Sequence, residues 1–214
     1  MGNEQTPQQH YGKQLEKFTK ELQGLQKRRS QLGWARLAVF VLTILIAYQF
    51  FTTAGLVGLI PTVVGIGLLL FLVSKDVANN EKIRNAKNLV QVNEEELQAL
   101  DHKFLSRDNG AGFLPAEHTY ANDLDLFGQA SIYQWLSRCY TQQGRRWLAD
   151  NLLQPVMLQL VQARQTAVKD LASKLDWRQQ WQAFAMQNPL TSAAEEKVKR
   201  WLQEEEKHFL KRWW

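Results

Sequence analysis

The residues able to do chemistry in this chain are few, and their spacing assembles no reactive centre. A phosphate loop needs G-x-x-x-x-G-K-[ST], because glycine amides wrap the phosphates while the lysine and hydroxyl reach phosphate and magnesium. The one Gly-Lys pair is Gly12-Lys13, with Pro7 at the first glycine position and Gln14 where the hydroxyl residue belongs. Asp123 and Asp125 stand two residues apart, as a metal or acid–base pair would, but no His or Glu sits at ligand spacing beside them. They read better as part of a loop and a helix N-terminus. His10, His102, His118 and His208 are too scattered to suggest a metal cluster. Cys139 is the single cysteine. It excludes a disulfide scaffold and a cysteine-rich zinc site, and it fits a reducing cytosol. It lies in a helical pattern among apolar and aromatic residues, where a small buried side chain is the expectation rather than a nucleophile. Arg145 and Arg146 could hold a phosphate or contact DNA, or they could form a solvated helical face. The sequence therefore supplies no catalytic residue, no metal ligands and no cofactor site.

The elements that would position these residues are set by an uneven distribution of charge. The chain has 214 residues and a formal net charge of +5, modest for its length, which argues for mild attraction to anionic surfaces and against a dedicated nucleic-acid binder. All charged residues lie outside 37–74, a block of 38 residues without Asp, Glu, Lys or Arg. One crossing of the hydrocarbon core needs about 20 apolar residues, so the block predicts two spans. Leu37–Phe51 and Leu56–Val73 are the apolar halves, with a weak polar break at Thr52-Thr53-Ala54-Gly55. Pro61, Gly65 and Gly67 suit membrane helices, whose exposed backbone is covered by neighbours, and Gly58 and Gly65 are expected where the two spans pack closely. More than thirty polar residues precede the block, so it does not read as a cleavable signal peptide. Lys27, Arg28, Arg29 and Arg36 come before it, and Lys75, Lys82, Arg84 and Lys87 follow it. The positive-inside rule then puts both termini in the cytoplasm, in a multi-pass protein of the inner (cytoplasmic) membrane.

Helical stripes flank the block. Leu15, Phe18, Leu22, Leu25 and Leu32 share one face before it. Ile83, Ala86, Val90, Asn93, Leu97, Leu100 and Phe104 follow a 3,4 spacing after it, a heptad seam. Two such helices leaving a hairpin on one side run antiparallel and can pair as a coiled coil, or each can mate with another subunit and make a homo-oligomer. The chain so divides into a cytoplasmic amphipathic helix (1–34), a transmembrane hairpin (35–74), a heptad helix (75–105), a linker (106–128) rich in Gly, Asp and Asn, and a helical domain (129–214). In that last domain Ile132, Tyr133, Leu136 and Tyr140 form one stripe, and Trp147, Leu148 and Leu152 the next, ending before Pro155. A longer helix covers Leu160 to Leu175, and Asp176 is a candidate N-cap for the segment with Trp177, Trp181 and Phe184. Ser192 with Glu195 makes a capping box for a last helix. Lys207, Lys211 and Arg212 with Phe209, Trp213 and Trp214 form a basic, aromatic cluster of the kind that sits at the headgroup level beside a span, or else a ragged helix end. The expected fold class is all-α.

The stretch Asp123-Leu124-Asp125-Leu126-Phe127-Gly128, then Ser131-Ile132-Tyr133-Gln134-Trp135-Leu136, Arg138 and Thr141-Gln142-Gln143-Gly144-Arg145-Arg146-Trp147-Leu148, closing on Leu152-Leu153-Gln154-Pro155, carries a more specific signal. It resembles the opening of the core domain of the MutS family of DNA mismatch-repair ATPases. Arg164-Gln165, Ala167-Val168 and Leu171 resemble the helix that comes next in that family. Ser137 and Cys139 stand where the family usually has Asn and Thr, as in a divergent branch. The resemblance implies packing roles for Leu124, Phe127, Leu136, Trp147, Leu148, Leu152, Pro155, Arg164, Val168 and Leu171. It implies, too, an ATPase domain beyond Trp214 that binds ATP and magnesium. The family's DNA-inserting N-terminal domain is replaced here by the membrane hairpin, so duplex contact would be non-specific. The expected function is the membrane anchor and core lever of a MutS-related ATPase, itself without enzymatic activity. A membrane-anchored helical scaffold that docks a protein partner without nucleotide is the alternative.

Overall fold

The computed structural model describes residues 6–55 and 59–203. Among these there are seven α-helices and no strand. They are α1 (Pro7–Ala54), α2 (Leu59–Leu100), α3 (Ile132–Leu136), α4 (Gln142–Leu153), α5 (Leu158–Ala172), α6 (Leu175–Gln187) and α7 (Ser192–Gln203), with a short 3-10 turn at Ala111–Phe113. The chain forms two compact units that meet between Glu94 and Glu95. Gly58 and the basic, aromatic cluster from Lys207 to Trp214 lie outside the described residues.

In the first unit the amphipathic helix and the first apolar half are one element. The 48 residues of α1 span about 72 Å at the α-helical rise, more than twice the thickness of a hydrocarbon core. Thr6 starts it with a capping box. Its hydroxyl accepts from the Gln9 amide at 3.3 Å, the Gln9 side chain accepts from the Thr6 amide at 3.3 Å, and Pro7 supplies a first-turn residue that needs no donor. At the other end, Thr52 and Thr53 hydroxyls both donate to the Gln49 carbonyl, which gives each hydroxyl a partner on its own helix. Gly55 follows at φ 59°, where a side chain would be strained.

α1 and α2 are antiparallel neighbours. Asn79 Nδ2 donates to the Leu25 carbonyl at 3.0 Å, Arg36 pairs with Asp76 at 3.2 Å, and a Cβ on Gly65 would collide with the Thr43 side chain. Gly65 is therefore a point of close approach between these helices. Phe18 is buried, and Leu15, Leu22, Leu25 and Leu32 are half-buried beside it, so the sequence stripe is the packed face of α1. On α2 the stripe begins much earlier than Ile83. Thr62, Gly65, Leu69, Leu72, Asp76 and Asn79 are at least partly covered at the same 3,4 spacing, ahead of Ile83, Ala86, Val90 and Asn93. Leu89 and Val92 widen it, while Leu100, expected in the seam, is exposed. Both helices are long and apolar enough to cross a membrane. Their apolar block points outward, with Phe40, Leu42 and Leu45 each more than half exposed, unlike the core hairpin of a soluble protein.

The second unit is built around Tyr133, which is fully buried. Its ring lies 5.8 Å from Phe113 and 5.5 Å from Phe127, with Ala121, Leu126 and Ala149 completing the core. Most of those residues come from 106–128, so the stretch expected as a linker is irregular in backbone yet supplies the centre of the unit. Gly110 makes this possible. It sits at φ 64°, and any Cβ there would strike the Tyr133 ring. Polar groups then fasten the loop to α4. Tyr120 donates its hydroxyl to the Leu153 carbonyl at 2.7 Å, and His118 Nε2 lies 3.1 Å from the same oxygen. His118 Nδ1 accepts from the Ala121 amide, so Nε2 carries the proton and donates. Together they satisfy a carbonyl that the end of α4 leaves without an intrahelical partner.

Two helix starts differ from expectation. Asp176 lies in the first turn of α6, whose N-cap is Lys174; its carboxylate still complements the positive end of the helix. At α7 the capping oxygen belongs to Thr191, which accepts from the Ala194 amide at 3.2 Å, so the cap precedes Ser192. Both Thr and Ser are good caps, and sequence pattern alone does not choose between neighbours.

Candidate functional site

The densest polar constellation lies in the second unit, where the last turns of α2 meet the segment between α3 and α4. Arg138 grips Glu96 with two parallel bonds, Nε to Oε1 and Nη2 to Oε2, each 2.9 Å. Such bidentate pairs are the strongest side-chain contacts available to arginine. Arg107 approaches the same carboxylate at 3.7 Å and donates to the Glu95 carbonyl at 3.0 Å. Tyr140 donates its hydroxyl to Glu95 at 2.6 Å. Arg145 pairs with Asp108 at 3.3 Å and donates to the Cys139 carbonyl at 3.1 Å. Sequence positions 95–96, 107–108 and 138–145 are thus held together by charge, within one unit.

Burial explains how these groups titrate. Removal from water pushes the Tyr140 hydroxyl well above the ordinary phenol range, and the Glu95 carboxylate that accepts its proton adds to this. Burial likewise raises Tyr133 to about 12. Burial and the neighbouring Arg138 cation lower Arg107, which Glu96 and Glu95 only partly offset. Cys139 is raised by burial, which keeps its thiol protonated and slow as a nucleophile. It is half-buried in the irregular segment between α3 and α4, not on a helix. A cavity of about 170 Å³ opens here, lined by Glu95, Ser106, Arg107, Asp108, Ser137, Arg138, Cys139, Tyr140 and Arg145.

The other residues singled out in the sequence are placed differently from one another. Arg145 is tied into the charge cluster, whereas Arg146, its neighbour, is exposed. Phe127 is buried, and Leu148 and Leu152 pack against its cluster. Pro155 follows α4 by two residues, at the surface. Leu124, Leu136, Trp147, Val168 and Leu171 are not core residues, with exposures from 37% to 66%. Phe113, Ala121, Leu126 and Phe127 of the loop 106–128 fill the centre of the unit instead. Trp147 instead receives the Arg164 guanidinium over its ring at 5.6 Å. Asp123 and Asp125 are exposed, Asp125 in a turn at φ 46°. Among the described residues, no group of three His, Cys, Asp or Glu side chains gathers to hold a metal ion.

A second surface feature is apolar. Trp177 and Trp181 stack with ring centres 5.8 Å apart and planes 9° off parallel, and Phe184 continues the row. All three are more than half exposed along a groove of about 920 Å³ that also takes in Cys139, Thr141 and Leu190. Sequence reasoning missed Glu95, Glu96, Arg107 and Tyr140. The signal was the run Glu94-Glu95-Glu96, an acidic cluster at the end of a seam that had been basic. Comparison of the chain with known protein families, curated proteins and solved structures gives no match.

Proposed function

We propose that this chain is the membrane anchor and core lever of a MutS-related ATPase. What supports the reading most directly is α2. One unbroken helix runs from the apolar block to Leu100, and its last turns are gripped by Arg107 and by Arg138 and Tyr140, the latter two within the stretch that carries the family resemblance. A helix held at its end by a bidentate ion pair moves with what it is held to. In this reading α1 and α2 form a coiled-coil hairpin that spans the cytoplasmic membrane twice, with both termini in the cytoplasm. The helical unit passes nucleotide-driven movement between the membrane and an ATPase domain that binds ATP and magnesium. Duplex DNA, where it is touched, is touched through phosphate by exposed cations such as Arg146, without sequence or mismatch preference. With the stripes of the two long helices turned toward each other, the ATPase domain is the element that brings copies together as a homo-oligomer.

The test is to isolate the gene product from its own membranes and assay magnesium-dependent ATP hydrolysis, with and without Arg138→Ala. Hydrolysis that loses its membrane dependence in the variant supports the lever. Absence of a phosphate loop both downstream of Trp214 in the reading frame and in any co-purifying subunit overturns it. One observation favours a second reading, a scaffold that docks a protein partner without nucleotide: the exposed Trp177, Trp181 and Phe184 row is larger than isolated surface apolar residues require.

A further inference from the structure

We propose that the cavity beside Arg107, Arg138 and Arg145 binds a small soluble oxyanion of the phosphate class. Three guanidinium groups line it, against the carboxylates of Glu95 and Asp108. Those carboxylates already have donors. Glu95 accepts from Tyr140, and Asp108 accepts from Arg145 through one oxygen and from the Gly110 amide through the other. Arg138 has committed its Nε and Nη2 to Glu96 and its Nη1 to the Trp135 carbonyl. Arg107 is different. Its side chain is 9% exposed, and its Nη1 is buried without a hydrogen-bond partner. A buried, charged donor left unpaired is unfavourable, so the site is short of one acceptor, and a tetrahedral oxyanion presents several at once. The hydroxyl of Ser106, also on the cavity wall, is able to donate to the same group.

The depth of Arg107 decides the source of the phosphate. A phosphodiester within a duplex is carried on a convex backbone and cannot enter a cavity this small, and a lipid phosphate is held at its own interface. A free phosphate or a terminal phosphate of a small metabolite can enter. This inference is independent of the anchor reading and does not require a nucleotide loop.

Cys139, the single thiol of the chain and part of the cavity wall, provides the readout. The full chain in detergent is alkylated with iodoacetamide at constant ionic strength, while chloride is exchanged for inorganic phosphate. Saturable slowing of alkylation in the millimolar range, with a parallel rise in melting temperature, is the expected result. Arg107→Gln should abolish both responses, and Arg107→Lys, which keeps the charge but loses the fork, should weaken them. If Arg107→Gln does not fold, the wild-type response and the lysine variant still decide. Alkylation that is indifferent to phosphate, or slowed equally by chloride, overturns the proposal. Protection by a short duplex or by phosphatidylglycerol vesicles at phosphate equivalents where inorganic phosphate gives none also overturns it.

Discussion

Glu96 serves two guanidinium groups at once, which makes it the residue whose loss is felt most widely in the second unit. Glu96→Ala leaves Arg138 and Arg107 without their shared carboxylate, and breaking a largely buried pair from one side is expected to cost about 3 kcal/mol. Urea unfolding followed by near-ultraviolet circular dichroism reads that loss. Phe127→Ala, which removes a buried ring, should cost about 3–5 kcal/mol in the same assay, whereas Trp147→Ala should cost less than about 1 kcal/mol because its ring is at the surface. Tyr133 gives a pH prediction. Its phenol is raised to about 12 in the folded chain, above its value of about 10 in an unfolded one. The stability that this contributes is complete below about pH 10 and is lost as the pH rises toward about 12. Alkaline unfolding should fall in that interval, and Tyr133 and Tyr140 should ionise above the ordinary phenol range in an ultraviolet titration. Pattern reading could single out Phe127 and Arg138 because they stand within a motif. It could not find Glu95, Arg107 or Tyr140, whose importance comes from pairings across the chain, and it misjudged Trp147 because periodicity marks an apolar face without saying what covers it.

The long helices were the most legible elements, since absence of charge and a 3,4 repeat are local properties that packing does not need to supply. What sequence could not give was their continuity. Arg36 and Lys75 look like boundaries, yet α1 runs through the first and α2 through the second, because the seam persists on both sides. The polar members of that seam act on register. Arg36, Asp76 and Asn79 find partners only at one alignment of the two helices, and the contact of Gly65 with Thr43 permits no larger residue. Paired cysteines at Val39 and Leu69, in a chain with Cys139→Ala, should therefore form a disulfide on oxidation. Gly65→Leu should reduce that cross-link severalfold, and Thr43→Gly should restore much of it. A cross-link unaffected by Gly65→Leu would mean that this contact does not set the approach of the helices. The loop 106–128 was the least legible element. Its Gly, Asp and Asn content is what a linker needs, but also what a tight, Tyr133-centred turn needs.

For the whole molecule the expectations concern sides and surfaces. In the Cys139→Ala background, a cysteine at Thr53 should react with an impermeant reagent added to intact cells, and one at Asn109 only after permeabilisation. External labelling at position 109 would invert the proposed topology. The purified chain should show no magnesium-dependent ATP hydrolysis, and its binding to duplex DNA should be weak, steeply salt-dependent and equal for matched and mismatched sequences.

The grip of Arg138 on Glu96 joins residues 42 positions apart, and this sets a timetable for biosynthesis. At about 5–20 residues per second, a ribosome finishes α2 about 2–8 s before it delivers the arginine that holds its end. During that interval both apolar helices are complete and the second unit cannot yet close. In the membrane-anchor reading proposed above, insertion of the hairpin therefore has a head start over folding of the unit behind it, and Glu96 waits as an open hook until the later segment arrives.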